Sequence, residues 1–320
     1  MQKKYFQGLD NIKGFLILMV FLGHIFVDPH GRLAVYIIYS FHMPLFIGIS
    51  GFLFNYKKTI SETLYYFINR LMVPWIIAVI CYFYVNIKVY NYDCSLKALI
   101  MNFISPFCHL WYIPAIIFYT FTFYVMIRLL HNTKCCWIII GGISLLICMI
   151  SYYIEHNYLY GHKVLSILHN NLRLYNFIYF SSGALLKKIL SSEDNKIQNI
   201  KFVKIISFCL FLFYLLFYFF DFITIKTFVY VIFNCLLIIV VLCDCVCDNI
   251  RPLTFLAFIG QYSLPIYLYH ILCDNVGTIL FGQGSFGYYI CSTICFAILV
   301  LIIYLMRNFK LIRRFVYGMN

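Results

Sequence analysis

Long apolar stretches broken by short polar clusters run the length of the chain. Ten of them, each roughly 16 to 23 residues, lie at about 12–27, 33–54, 71–90, 111–130, 136–154, 174–190, 203–222, 225–247, 253–273 and 287–306. A helix rises about 1.5 Å per residue, so about 20 apolar residues cross the hydrocarbon core of a bilayer. The pattern predicts an all-α polytopic integral membrane protein, with about ten transmembrane helices in a single domain over residues 1–320 and no sizeable soluble domain. The first and sixth stretches are short and carry polar residues, so their ends are the least sharply marked. Pro44 and Pro265 fall inside the second and ninth stretches, where a missing N–H loosens or kinks a helix. No repeat of fixed period is visible. The longest polar connections, about 91–110 and 155–173, are the segments on which an extracytoplasmic partner would be recognised.

Composition closes the soluble alternative. Of 320 residues, 64% are hydrophobic, 21% aromatic and 11% charged. A soluble fold could not cover its surface with under half the usual quarter of charged residues. The 34 Phe and 29 Tyr also exceed what one globular core buries. The 14 Cys are scattered, most of them inside apolar stretches, as with Cys81, Cys148, Cys209, Cys235, Cys291 and Cys295, and read as small hydrophobes. Cys243, Cys245 and Cys247 alternate without the C-x2-C spacing of a zinc site, and no metal is expected.

A net charge of +13 would suggest nucleic acid in a soluble protein. With the N-terminus cytoplasmic, the 24 Lys and Arg divide 18 inside to 6 outside, which obeys the positive-inside rule and places both termini in the cytoplasm. The basic excess therefore sets orientation against anionic membrane lipid, and no nucleic-acid partner is expected. Lys3, Lys4 and Lys13 precede the first stretch without a small-x-small cleavage site, so it reads as an uncleaved span. Phosphate-loop, dinucleotide-binding and nucleophile-elbow motifs do not occur, which leaves ATP-driven transport, nucleotide redox chemistry and serine hydrolysis without support.

Ionisable residues within spans are costly in lipid and mark candidate chemistry. Lys13 and His24 are eleven residues apart, close to three turns, so they share a face of the first span at roughly 16 Å along its axis. Asp10 joins that face three residues before Lys13. An acidic and basic pair thus sits at the cytoplasmic mouth, with an imidazole deep in the membrane. The plainer account is a snorkelling lysine and a histidine bridging two helices. His42, in the stretch F-H-M-P-L-F-I-G-I-S-G-F, falls at a depth comparable to His24 because the second span runs the opposite way. Arg70, at the inner end of the third span, suits a phosphate or a topogenic anchor equally. His109 precedes Trp111 and Tyr112 at the outer rim of the fourth, where the aromatics form an interfacial belt and only the histidine asks for more. Ser263, Tyr267 and His270 share one face of the ninth span at i, i+4 and i+7, with Asp274 beyond as a proton-handling partner or a helix contact.

Taken in order, these stretches resemble the acyltransferase-3 family of bacterial membrane acyltransferases across nearly the whole chain. The first signature is a basic residue, ten others and a histidine, read here as Lys13, Gly14 to Gly23 and His24 after Leu9-Asp10. The phenylalanine-rich stretch closing on S-G-F spans Phe46 to Phe52, and the arginine before proline is Arg70 with Pro74. H-L-W-[FY] matches 109–112, Gly-Ala-Leu-Leu matches 183–186, and G-x-Y-S-x-x-[IL]-Y-L-x-H matches Gly260 to His270. The wording F-H-M-P-L-F looks most like the fucose 4-O-acetylase-like subgroup, of the stand-alone type without an SGNH domain.

The resemblance implies a multi-pass enzyme of the bacterial cytoplasmic membrane that moves an acyl group, most often acetyl from acetyl-CoA, to a hydroxyl of an extracytoplasmic polysaccharide or glycan. It places His24 as the catalytic residue, Asp10, Lys13 and Arg70 at the acyl-CoA phosphates, and His42, His109, Tyr267 and His270 toward the glycan acceptor. Lysine at position 13 stands where many members carry arginine, and neutralises a phosphate as a point charge without the bidentate fork. His24 would deprotonate the hydroxyl directly or accept the acyl group first. The assembly allowed is a monomer or a homodimer, and the acyl group acetyl or succinyl. On the residues alone, a secondary transporter or translocase of a lipid-linked glycan or small solute stays open, as does a sensory or scaffold module. The paired broken helices of inverted-repeat transporters are not visible.

Overall fold

In lipid, a stretch this uniformly apolar can satisfy its backbone polar groups only within itself, and helix is the local structure that does so. The protein is represented by a computed structural model that describes residues 7–26, 32–107, 109–130, 133, 135–157, 162–191, 200–220, 223–246 and 253–319, and among these no strand forms. The helices are α1 (Gln7–Ile25), α2 (Arg32–Leu53), α3 (Ile60–Phe67), α4 (Val73–Tyr90), α5 (Leu96–Ile104), α6 (Tyr112–Leu130), α7 (Cys136–Asn157) and α8 (Lys163–Leu172). They continue as α9 (Phe177–Leu190), α10 (Ile200–Leu216), α11 (Ile223–Val246), α12 (Thr254–Gln261), α13 (Ser263–Phe281), α14 (Phe286–Met306) and α15 (Lys310–Phe315).

Among the described residues each of the ten apolar stretches carries a helix, and the chain is a multi-pass membrane protein. Among the described residues, eight helices are long and apolar enough to cross a bilayer. The sixth and seventh expected spans are shorter: α9 has 14 residues and follows a 3₁₀ turn at Leu174–Asn176, and α10 has 17. The ninth stretch is divided at Tyr262 into α12 and α13, so its crossing helix is Ser263–Phe281 rather than 253–273. Pro265 then falls in the first turn of α13, where a missing N–H costs no helical bond. Lys3, Lys4 and Cys247 lie outside the described residues.

The chain divides into two compact units. One combines residues 1–53 with 182–306, the other 54–181 with 307–320. In the first, α1 packs chiefly against α12, with α2, α13 and α11 around it, while α13 pairs with α14 and α10 with α11. The spans differ in enclosure for a reason legible in their residues. α1 carries Asp10, Lys13 and His24 and is 61% buried; α14 is almost wholly apolar and 17% buried. Along α14, Ile290, Ile294, Ile298, Leu301 and Leu305 form an exposed stripe at helical spacing, which is the lipid face, while Tyr288, Ser292 and Phe296 point inward. Between α10 and α11, Lys204 meets Asp244 at 2.8 Å, and the flanking Cys243 and Cys245 are buried as small hydrophobes.

In the second unit, Thr59 and Glu62 form a reciprocal capping box that starts α3, with Thr59 N–H donating to Glu62 Oε2 at 2.9 Å. α3 runs through a π turn at Ile68–Met72 into α4, so one rod extends from Ile60 to Tyr90. Pro74 explains the π turn. It has no N–H to give the carbonyl of Arg70 four residues earlier, and the helix widens there. The long connections after α4 and α7 carry the short helices α5 and α8, whose apolar residues Leu96 and Val164 are exposed.

Candidate active site

The first unit gathers six of the residues singled out in the sequence. On α1, Lys13 Nζ lies 2.5 Å from Asp10 Oδ1, with the carboxylate nearly buried and the ammonium more open. Burial of a charge demands such a partner. What brings α12 against this turn is a pair of glycines: a Cβ on Gly260 would collide with the carbonyl oxygen of Asp10, and a Cβ on Gly14 with that of Leu256. Small residues let helix backbones touch in a membrane. Beside them, buried Asn11 accepts the N–H of Leu253 at 3.3 Å. The glycine that opens the G-x-Y-S stretch therefore fixes the register of α1.

Farther along the same face of α1, three imidazoles converge. The rings of His24 and His270 are 5.2 Å apart at their centroids, and His42 lies within electrostatic reach of His24. His42 and His270 are buried, whereas His24 is half-buried. His42 Nδ1 lies 2.7 Å from the carbonyl of Ile38, and His270 Nδ1 lies 2.7 Å from that of Tyr267. A carbonyl oxygen only accepts, so each ring carries its proton on Nδ1 and its basic lone pair on Nε2. Tyr39 lies against His42 with ring centroids 5.1 Å apart and donates to the carbonyl of Gly23 at 3.2 Å, next to His24. Tyr267 reaches His270 through its backbone carbonyl, its ring standing 6.1 Å away. Asp274 is engaged by the hydroxyl of Tyr288, which also lies 3.4 Å from the carbonyl of Ile25. His270 thus partners His24, and Asp274 belongs to the contact that anchors α14 beside the end of α1. Among the described residues, no three His, Cys, Asp or Glu side chains converge as metal ligands.

The position of His42 follows from a proline. Pro44 cannot donate to the carbonyl of Ser40, four residues earlier. Asn234 of α11 supplies the missing donor, its Nδ2 meeting the Ser40 carbonyl at 2.9 Å and that of Tyr230 at 2.9 Å. A neighbouring side chain that re-satisfies a proline-freed carbonyl is how such helices persist in lipid. On the same helix Gly48 receives Gly183 of α9, where a Cβ on Gly183 would strike the Gly48 carbonyl. Sequence reasoning missed Asn11, Tyr39 and Asn234. A polar side chain within an apolar run was the available signal for Asn234.

Arg70 and His109 belong to the second unit. Arg70 occupies the π turn, is exposed, and lies over the ring of Tyr66 at 5.3 Å. Its carbonyl, freed by Pro74, is covered by Gly318, whose φ of 63° and lack of a Cβ permit the approach. His109 is buried against the edge of Tyr82 at 5.3 Å, with Phe107 stacked on the same tyrosine. Trp75 Nε1 donates to the carbonyl of Leu110 at 3.0 Å and pins the segment. Arg173 lies 4.1 Å from the ring of Trp111, and Tyr119 donates to the carbonyl of Arg173 at 2.7 Å.

A family model described as an acyltransferase domain matches residues 6–305, which takes in every residue just described from Asp10 to His270. No curated protein and no solved structure matches the chain. A buried histidine cluster with an ion pair three turns away, on helices that cross a membrane, is the setting into which that match falls, and the chain belongs to the acyltransferase-3 family of membrane acyltransferases.

Proposed function

We propose that the protein transfers an acyl group, acetyl in our reading, from cytoplasmic acyl-CoA to a hydroxyl of an extracytoplasmic glycan, within a bacterial cytoplasmic membrane. The observation that carries this is the placement of His24: half-buried, against His270, and eleven residues along one helix face from the Lys13–Asp10 pair. That separation, roughly 16 Å, suits a pantetheine arm reaching from phosphates near Lys13 to a thioester near His24. Arg70, exposed on its π turn, is a second cation suited to phosphate oxygens. The motif F-H-M-P-L-F supports an acceptor of the kind used by fucose 4-O-acetylase-like members.

A sugar hydroxyl is not ionised near neutral pH, so its attack on a thioester needs a base, and an imidazole titrates in the useful range. His24 takes the hydroxyl proton as the oxygen attacks the thioester carbonyl. The new C–O bond forms, the C–S bond breaks, and the proton passes from His24 to the departing CoA sulfur. His270 packs beside His24 and, with its own proton fixed on Nδ1, presents Nε2 as an acceptor that steadies the imidazolium. Such a base contributes about 10²–10⁴-fold.

The test is chemical. Surface glycan from cells with and without the chain is compared by mass, after growth with isotopically labelled acetate. Acetyl label on glycan hydroxyls only when the chain is present supports the reading. Identical glycans together with movement of an unmodified glycan across the membrane would replace it with transport.

A further inference from the structure

The second unit contains a buried amide that the mechanism does not use. Asn86 lies near the end of α4, 1% exposed, and neither its Oδ1 nor its Nδ2 has a hydrogen-bond partner among the described residues. A buried polar group without a partner is costly, and the chain gains nothing in stability by keeping one. One turn before it on the same face stands Tyr82, also 1% exposed, against which His109 and Phe107 pack. Asn86 is sixteen residues beyond Arg70 on the continuous rod, roughly 24 Å along its axis, so the amide lies toward the opposite end of that helix from the arginine.

We propose that the Asn86 carboxamide, beside Tyr82 and His109, is a hydroxyl-recognition subsite for the glycan acceptor. The chemistry matches. A carboxamide offers a donor and an acceptor side by side, as a sugar hydroxyl does, and being neutral it does not select for charge. Phe107, half-buried and stacked on Tyr82, offers its outer face to the C–H side of a pyranose. A site built to hydrogen-bond a hydroxyl discriminates strongly against analogues that lack it, because its own polar group is then left unpaired. The identity of the ligand as an acceptor rests on the acyl-transfer reading above; the hydroxyl recognition does not.

The experiment uses the full chain purified in detergent, as wild type, Asn86→Leu and Asn86→Ala. Binding of methyl pyranosides of fucose, rhamnose, glucose and galactose, and of their deoxy analogues, is followed by tryptophan fluorescence beside thermal unfolding. The subsite predicts saturable binding to wild type and about tenfold weaker binding to a variant, with an unfolding temperature equal to or above that of wild type. At least one deoxy analogue should bind wild type weakly, yet lose nothing further in the variant. Equal binding by wild type and variants, no pyranoside binding by wild type, or failure of both variants to fold would each overturn it. Asn86-dependent binding without any acyl transfer would sink the acceptor reading and leave the subsite standing. Transfer with an unchanged acceptor KM in the variants would do the reverse.

Discussion

His24 and His270 sit with ring centroids 5.2 Å apart, although 246 positions separate them in the chain. Each lies on an element whose place is set by something other than the histidines. α1 is seated on α12 by Gly14 and Gly260, and the His270 ring is oriented by the carbonyl of Tyr267 one turn away. The pairing gives His24 a fixed neighbour. Replacing His270 by phenylalanine keeps a ring in the space and removes Nε2. The expected result is a lower kcat at nearly unchanged donor KM, measured on membranes of matched protein content. An unchanged kcat would show that His270 only fills space.

Gly260 carries a packing prediction. A Cβ there meets the carbonyl of Asp10, which is backbone and cannot swing aside. Gly260→Ala should therefore cost about 1–3 kcal/mol, as overpacking does, and push the Asp10–Lys13 turn out of place. Thermal unfolding in detergent checks the first effect, and a raised donor KM checks the second.

The Asn234–Pro44 pair predicts non-additivity. Asn234→Leu leaves the Ser40 carbonyl without a donor and should destabilise the protein by about 1–3 kcal/mol. Pro44→Ala restores the helical N–H that the proline lacks, so the double variant should recover most of that loss. Unfolding of the two single variants and the double one forms the cycle.

Lys13 and Asp10 make an electrostatic prediction. Lys13→Met removes the cation proposed to meet the donor phosphate and leaves Asp10 nearly buried beside it. Donor KM should rise on the order of tenfold or more, with a smaller effect on kcat at saturation. Lys13→Arg should hold the donor at least as well, because a guanidinium binds phosphate through two parallel hydrogen bonds. A KM insensitive to both changes would move the phosphate site away from Lys13.

The helices and the shared face of Asp10, Lys13 and His24 were legible in the sequence, because both follow from local spacing. Span length was less so: among the described residues α9 and α10 have 14 and 17 residues, although both are apolar. The π turn at Arg70 needed Pro74, which is local, but also Gly318, nearly at the other end of the chain. Asp274 reads as a partner for His270 four residues away, and only the packing of α14 on α13 gives it to Tyr288 instead. Asn234 and Asn86 look alike in sequence, each a lone asparagine in an apolar run. One donates to a proline-freed carbonyl and the other has no partner among the described residues, a difference that exists only in three dimensions.

The central claim is that His24 is the base for acyl transfer. Its most direct test is the initial rate of label transfer from acetyl-CoA to glycan in membranes holding equal amounts of folded wild type and His24→Ala. The account predicts a loss of about 10²–10⁴-fold in the variant, with donor binding retained. A folded His24→Ala protein that transfers label at the wild-type rate would contradict it.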